Sequence, residues 1–507
     1  MKRLRFAILA ALCIAIGACA SVPLDYPKEH SVAIADTSDT TIATDVMEWT
    51  DAHNGLSGFY PLVEGMDALG ARLYLIEAAE RSIDLQYFLM KDDTAGRIFS
   101  AALLQAADRG VRVRFLLDDV FSTVGDETLA RLDQHESIEV RLYNPVARGG
   151  IPLLNFVADF KRANRRMHNK SFTVDNQVTI VGGRNIADEY FELKSDAEFL
   201  DFDVVAIGRV AADISATFDA FWNADSSVPM TAFAGKFDPD DFNAWKAALE
   251  NDFRRADQSV YAAAMESELI NDLVDDRISM HAATYEVITD DPSKLVTRIS
   301  EEQQTLVNYL ADVAKEAESE ILVITPYFVP LDDGLAFWRS LTARGLRVTV
   351  VTNSLASNNH TAVHSGYSKY RRAIIEAGVE LYEARVNAVA KPAGADGPDV
   401  LTLHTKAVVI DREKLFVGSL NLDPRSIDIN AEMGILVNSP EMVAGLAGTF
   451  LEDLPEFAYR VELDERAKII WRGNIDGVEV VETTEPQTSG WLRFKAFLMK
   501  IVPDSQL

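Results

Sequence analysis

Cysteine is nearly missing from this sequence: of 507 residues only Cys13 and Cys19 are cysteines, and both lie close to the start. No disulfide framework can therefore hold the folded part, and no Cys/His cluster with metal-ligand spacing exists. Neither a metal nor a cofactor is expected. Basic residues are also short, 49 Lys and Arg against 78 Asp and Glu, for a net charge of -29. So acidic a mean field repels phosphate backbones and argues against a general nucleic-acid binder. Beyond the N-terminal twenty or so residues, no apolar run reaches bilayer-spanning length.

What is present, 48 % hydrophobic and 25 % charged residues, is the composition of a folded protein, long enough for two domains. The opening "MKRLRFAILAALCIAIGACAS" places Lys2, Arg3 and Arg5 before a short apolar run that ends in small residues at Cys19. That pattern is an export signal. Its "IGAC", residues 16–19, resembles the bacterial lipobox, whose cysteine is acylated and becomes the first mature residue; an ordinary cleaved signal peptide is the competing reading. Ala20, where an aspartate would resemble an inner-membrane retention signal, favours the outer membrane. The expectation is a lipid-anchored protein of the bacterial cell envelope, facing the periplasm.

Residues 20–57 are polar and read as a tether. From 58 the pattern alternates helix and strand, and the order recurs. "GRIFSAALLQAADRG" then "VRVRFLLDDV" in the first half answers to "GLAFWRSLTARG" then "LRVTVVTNSL" in the second. Both halves carry a Tyr-Phe pair, Tyr87-Phe88 and Tyr327-Phe328, and an Arg-Gly before the next strand. The expected organisation is a signal at 1–19, the tether, α/β domains at 58–225 and 296–460, and a mostly helical connector at 226–295. A segment at 461–507 carries an amphipathic helix. The Ala/Pro/Gly-rich stretch 388–400 reads as a loop.

One motif is duplicated with the fold. His168, Lys170 and Asp175 read His-x-Lys-x4-Asp, as do His404, Lys406 and Asp411; Asn185 and Asn421 each follow their histidine by seventeen positions, behind a Gly-Gly or Gly-Ser pair. Two such coincidences at equivalent places of a repeat are not accidental. His and Lys two apart on a strand face one pocket, and the apolar "SFTV" or "AVVI" that follows holds them on a rigid element. Imidazole, ammonium and amide together make a phosphate site without metal. Two copies facing each other would place two histidines on opposite sides of one phosphorus, one to attack and one to protonate the leaving oxygen. Each histidine then needs an orienting carboxylate. Glu432 fits in the second half; in the first, Asp203 is the choice and Asp196 its competitor.

These residues resemble the phospholipase D superfamily, marked by the duplicated His-x-Lys-x4-Asp. "RRMHNKSFTVDNQVTIVGGRNIADEYF", "VHSGYSKYRRAIIEAGVELYE" and "GSLNLDPRSIDINAEMG" look like its bacterial cardiolipin synthase C-type branch. The resemblance implies two α/β/α-sandwich domains related by pseudo-two-fold symmetry and a covalent phosphohistidine. His168 is then the nucleophile, His404 the acid and later base, and Asp175 and Asp411 are more structural than chemical. It also implies phospholipid partners at a membrane surface, phosphatidylglycerol and in some reactions phosphatidylethanolamine, and no nucleic acid. Cardiolipin synthesis and hydrolysis to phosphatidic acid both remain open, and no partner protein is identified.

Three further features carry paired readings. His364, Tyr367, Arg371 and Arg372 are either head-group contacts or a solvated helix face. Lys161, Arg162, Arg165 and Arg166 are expected to meet lipid phosphate, the competing reading being a random charge run. The C-terminal "SGWLRFKAFLMKIVP" either lies in a membrane interface or closes over its own core.

Overall fold

Short apolar runs alternating with amphipathic helices build two copies of one α/β unit. The computed structural model describes residues 22–148, 155–157, 159–193, 197–234, 237–256, 260–275, 277–296, 305–386, 400–475 and 477–504. The expected signal, Cys19, Asp196 and residues 388–399 of the loop lie outside the described residues.

The first half supplies β1 (Ser57–Leu62), β2 (Ser82–Tyr87), β3 (Arg112–Asp118), β4 (Ile138–Tyr143), β5 (Ser171–Val174) and β6 (Val178–Gly182). After these come β7 (Ala197–Leu200), β8 (Asp203–Ile207) and β9 (Ser227–Pro229). Strands β2, β3 and β4 are parallel and joined by helices, whereas β5, β6, β8 and β1 continue the sheet antiparallel. A strand β10 (His281–Thr289) leads to the second half, whose strands are β11 (Glu320–Ile324), β12 (Arg347–Asn353), β13 (Glu380–Ala384), β14 (Val400–Leu403) and β15 (Ala407–Ile410). They are followed by β16 (Lys414–Gly418), β17 (Met433–Asn438), β18 (Ala458–Leu463), β19 (Ile469–Ile475) and β20 (Val478–Glu482). Here β11, β12 and β13 are the parallel core, and β15, β16 and β17 repeat the antiparallel run of β5, β6 and β8.

β5 and β15 are buried at every residue because each is covered on both faces. Helices cover one face of each sheet; the other faces meet, with Phe59, Val181 and Val204 packed in one apolar layer with Val409, Val417 and Ile435. Gly110 and Gly345 both sit at φ +92°, so the shared Arg-Gly marks a left-handed helix end that a side chain would strain. The shared Tyr-Phe pair is a coincidence of register. Ile83 and Ile321 are equivalent, each pairing with the residue just before a motif aspartate, so Tyr87 matches Thr325 and Tyr327 lies two positions further on.

Two expected boundaries change. The tether is folded from its first described residues. The helix Thr41–Ala52 buries Ile42, Ala43 and Val46; upstream of it, Ser31 accepts from Arg114 Nη1 through its carbonyl (3.0 Å) and from Trp222 Nε1 through its hydroxyl (2.9 Å). Part of the segment serves buried arginines: besides Ser31, Glu29 O accepts from Arg141. The connector is helical at 239–256, 260–265 and 268–274, but β10 is a strand. Its first residues pair with β1 and the rest with β17, so it stitches the two sheets together.

Candidate active site

The motif aspartates anchor the strands. Asp175 accepts the backbone N–H groups of Glu80, Arg81 and Ser82 at 3.0, 2.8 and 2.7 Å. Asp411 does the same for Glu318, Ser319 and Glu320 at 2.9, 2.8 and 3.1 Å. Each carboxylate thus pins the entry of β2 or β11 to the far end of β5 or β15, and neither faces the histidines.

At the near end the two halves interlock. His168 donates its backbone N–H to Ala431 O at 2.9 Å, and its Nδ1 lies 2.8 Å from Glu432 Oε2. His404 donates to Leu200 O at 2.7 Å, and its Nδ1 lies 2.6 Å from Asp201 Oδ2. Parallel pairing of β7 with β14 sets the second of these contacts. Each imidazole is therefore oriented by a carboxylate of the opposite half, with Nδ1–H donating and Nε2 left for the cavity.

This corrects the expected orienters. Glu432 serves His168, not the histidine of its own half, and Asp203 serves neither. Asp203 pairs with Gly182 where Gly434 pairs with Gly418, so the equivalent of Glu432 is Asp201, two residues earlier. Asp203 instead holds Arg72 in a fully buried ion pair at 2.8 Å. Gly183 stands where Ser419 stands in the other half, because a Cβ there would come within 2.1 Å of Asp201 Oδ1; Ser419 Oγ donates to Glu432.

Lys170 and Lys406 are buried beside their histidines, and Lys406 Nζ lies against the His404 ring, 2.9 Å from Nδ1 and 3.3 Å from Nε2. Burial, the largest influence, holds both imidazoles down to about 4. It also lowers Lys170 to about 7 and Lys406 to about 8. Each lysine depresses the histidine of the opposite half as well as its own, so the four groups lie close together where the halves meet. Asn185 and Asn421 are buried, and each has a side-chain oxygen with no protein partner. Aromatic rings wall the site: Phe88 is edge-on to His168 at 4.7 Å, Phe199 is stacked on His404 at 5.2 Å, and Tyr190 is edge-on to it at 5.2 Å. Nothing in the motif spacing singles out these rings. Asp201 emerges only from the strand pairing, which sets Asp203 opposite Gly182 where Gly434 lies opposite Gly418.

The expected head-group residues are elsewhere. Tyr367 donates to Glu383 at 2.7 Å; Arg371 pairs with Glu383 at 2.7 Å and Glu485 at 2.9 Å; His364 lies against Arg371. All three are buried in the second half's own core, and Arg372 bonds Ala467 O. Of the basic cluster, Arg162 pairs with Asp159, Arg165 donates to Lys294 O and Arg166 is buried against Asp118. Arg184, too, is buried on backbone carbonyls. These cations hold loops, and only Lys161 is exposed.

Comparison with known proteins agrees with this duplicated arrangement. The model of the family "Cardiolipin synthase, PLD-like domain" matches residues 73–222 and 310–454. Cardiolipin synthase C of Escherichia coli is 37 % identical over 469 residues, covering 91 % of this chain and 98 % of that protein. Cardiolipin synthase A of Pseudomonas syringae is 26 % identical, over 74 % of this chain and 64 % of its own. Among solved structures, phosphatidylserine synthase of Haemophilus influenzae superposes with a TM-score of 0.56 at 14 % identity, over 82 % of this chain and 92 % of that one.

Proposed function

The chain belongs to the cardiolipin synthase, PLD-like domain family, and from that membership we propose that it is a phosphatidyltransferase that makes cardiolipin through a phosphohistidine. The observation that carries the reading is the pair of buried imidazoles, each oriented by the opposite half's carboxylate, with a buried lysine two residues after each. His168 Nε2 attacks the phosphorus of phosphatidylglycerol, the bond to the glycerol oxygen breaks, and His404 gives that oxygen its proton. His404, now neutral, takes the proton of an acceptor hydroxyl on a second phosphatidylglycerol. The new P–O bond forms as the P–N bond breaks, so two phosphatidylglycerols become cardiolipin and glycerol. Lys170, Lys406, Asn185 and Asn421 take the charge of the non-bridging oxygens. Phe88, Phe199 and Tyr190 keep the phosphohistidine away from water, favouring transfer over hydrolysis. The same reading takes Cys19 as acylated and sets the enzyme on the periplasmic side of the envelope, at the outer membrane. Among the described residues no helix is long and apolar enough to cross a membrane.

Purified protein with phosphatidylglycerol in detergent micelles, with and without phosphatidylethanolamine, should yield cardiolipin by mass. Phosphatidic acid as the only product would make the protein a hydrolase. Phosphatidylethanolamine dependence would identify a second donor.

Proton uptake should accompany anion binding. With both imidazoles at about 4, the free site at pH 6 is neutral there. An anion between them favours the imidazolium and raises its pKa, so binding takes up about one proton at pH 6. Uptake grows above pH 7, where the free lysines have begun to lose protons, and vanishes below about pH 4. Calorimetry of tungstate binding in two buffers of different ionisation enthalpy measures it. Binding without uptake at pH 6 would remove His404 from the acid role.

A further inference from the structure

The helix Gly490–Met499 does not close over the core. Only Ala496 is buried, whereas Trp491 is 72 % exposed, Phe497 68 % and Ile501 88 %, with Phe494 and Leu498 also exposed. Trp491 is the only exposed tryptophan of the six in the chain. Positions 491, 494, 498 and 501 recur at helical spacing, so they share one face. That face is held outward. Upstream, Glu485 accepts from Arg371 at 2.9 Å; downstream, Asp504 accepts from Lys369 at 2.5 Å and from Tyr370 at 2.9 Å. Both clamps close on the helix Thr361–Glu376, so a ten-residue helix that would be marginal alone is fixed with its aromatic face in solvent.

The occupant is indicated by charge. Residues 490–503 carry Arg493, Lys495 and Lys500 and no acid, in a chain of net charge -29. Lys495 and Lys500 are exposed beside the aromatic face. A second copy docked there would bring six cations together, whereas an anionic bilayer surface receives both the rings and the lysines. At physiological salt the charge of the distant body is screened over about 8 Å, so the local sign decides.

We propose that the helix Gly490–Met499 is an interfacial membrane contact that lays the second half against anionic phospholipid. The proposal rests on the reading that the substrate is a membrane phospholipid, and it adds a docking element separate from any acyl anchor. Residues Trp491, Phe494, Leu498 and Ile501 enter the head-group layer, and Lys495 and Lys500 stay at its surface.

The test uses the full-length protein with vesicles of phosphatidylglycerol and phosphatidylcholine, part of the lipid dibrominated in its chains. Bromine should quench the tryptophan fluorescence of the native protein, and most of that quenching should be lost in Trp491→Phe, whatever the anchor does. In parallel, Phe494→Ser/Leu498→Ser should lower turnover on vesicles at least about tenfold. It should leave turnover unchanged on a short-chain phosphatidylglycerol dispersed below its micelle concentration. Equal quenching in the native protein and Trp491→Phe would overturn the proposal. So would a native dimer in sedimentation that the double substitution converts to monomer with vesicle turnover intact, which would make the face a self-contact. Absence of turnover on both lipid forms in the native protein would instead defeat the functional reading, and the quenching would still report on the helix.

Discussion

His168→Ala should turn over phosphatidylglycerol at least about 10³-fold more slowly and form no acid-labile phosphoenzyme, whereas His404→Ala should accumulate one and stall. The two imidazoles have nearly equal surroundings: both are buried, both are held down to about 4, and each faces a carboxylate of the other half. Their roles separate only when substrate binds, so the difference lies in which step each variant blocks. On the proposed mechanism, removing His168 removes the nucleophile. Without His404 the first departure is slowed, but the leaving glycerol oxygen can still draw a proton from water; activating the acceptor hydroxyl then has no base. Rapid quench into alkaline detergent with head-group-unlabelled, phosphorus-labelled lipid, followed by a test of acid lability, reads both. A trapped intermediate in His168→Ala, and none in His404→Ala, would exchange the two assignments.

Asp201 and Asp203, two residues apart, should fail in opposite ways. Asp201→Asn keeps the shape but loses the charge that fixes the His404 tautomer, and activity should fall about 10²–10⁴-fold with little change in unfolding temperature. Asp203→Ala leaves the Arg72 guanidinium buried and unpaired. Arg72 and Asp203 side chains are 2 % and 1 % exposed, and breaking such a pair from one side costs about 3–5 kcal/mol. For a unit of this size that lowers the melting temperature by roughly 6–20 °C. Thermal unfolding and kcat measured on both variants separate the roles; a melting loss in Asp201→Asn equal to that of Asp203→Ala would deny Asp201 its orienting part.

The exchange between these two aspartates shows where reading the sequence ends. The duplicated motif was legible because its elements repeat at fixed spacing on buried strands, and the strands themselves because "SFTV" and "AVVI" have few alternatives once both faces are covered. Asp201 was not, because the loop before it differs in length between the halves and its partner lies 203 residues away. Ser31 and its neighbours read as tether because the need they answer, the buried Arg114, is visible only in three dimensions. β10 was not singled out within a connector read as mostly helical, because "HAATYEVIT" is short and half exposed, and its identity comes from two sheet edges that accept it. Arg371 and Tyr367 sit in a family-like motif, yet they spend their polar groups on its own last residue, Glu383, and on Glu485 far downstream.

The crossing of carboxylates also bears on biosynthesis. A nascent chain that has folded only its first half holds His168 and Lys170 but lacks Glu432, and it holds Asp201 with no histidine to serve. The second carboxylate arrives near the end of synthesis, when β17 docks behind it. A truncated or stalled product is thus chemically silent, and the cell is spared a half-built lipid-cleaving centre without needing an inhibitor or a pro-segment to restrain it.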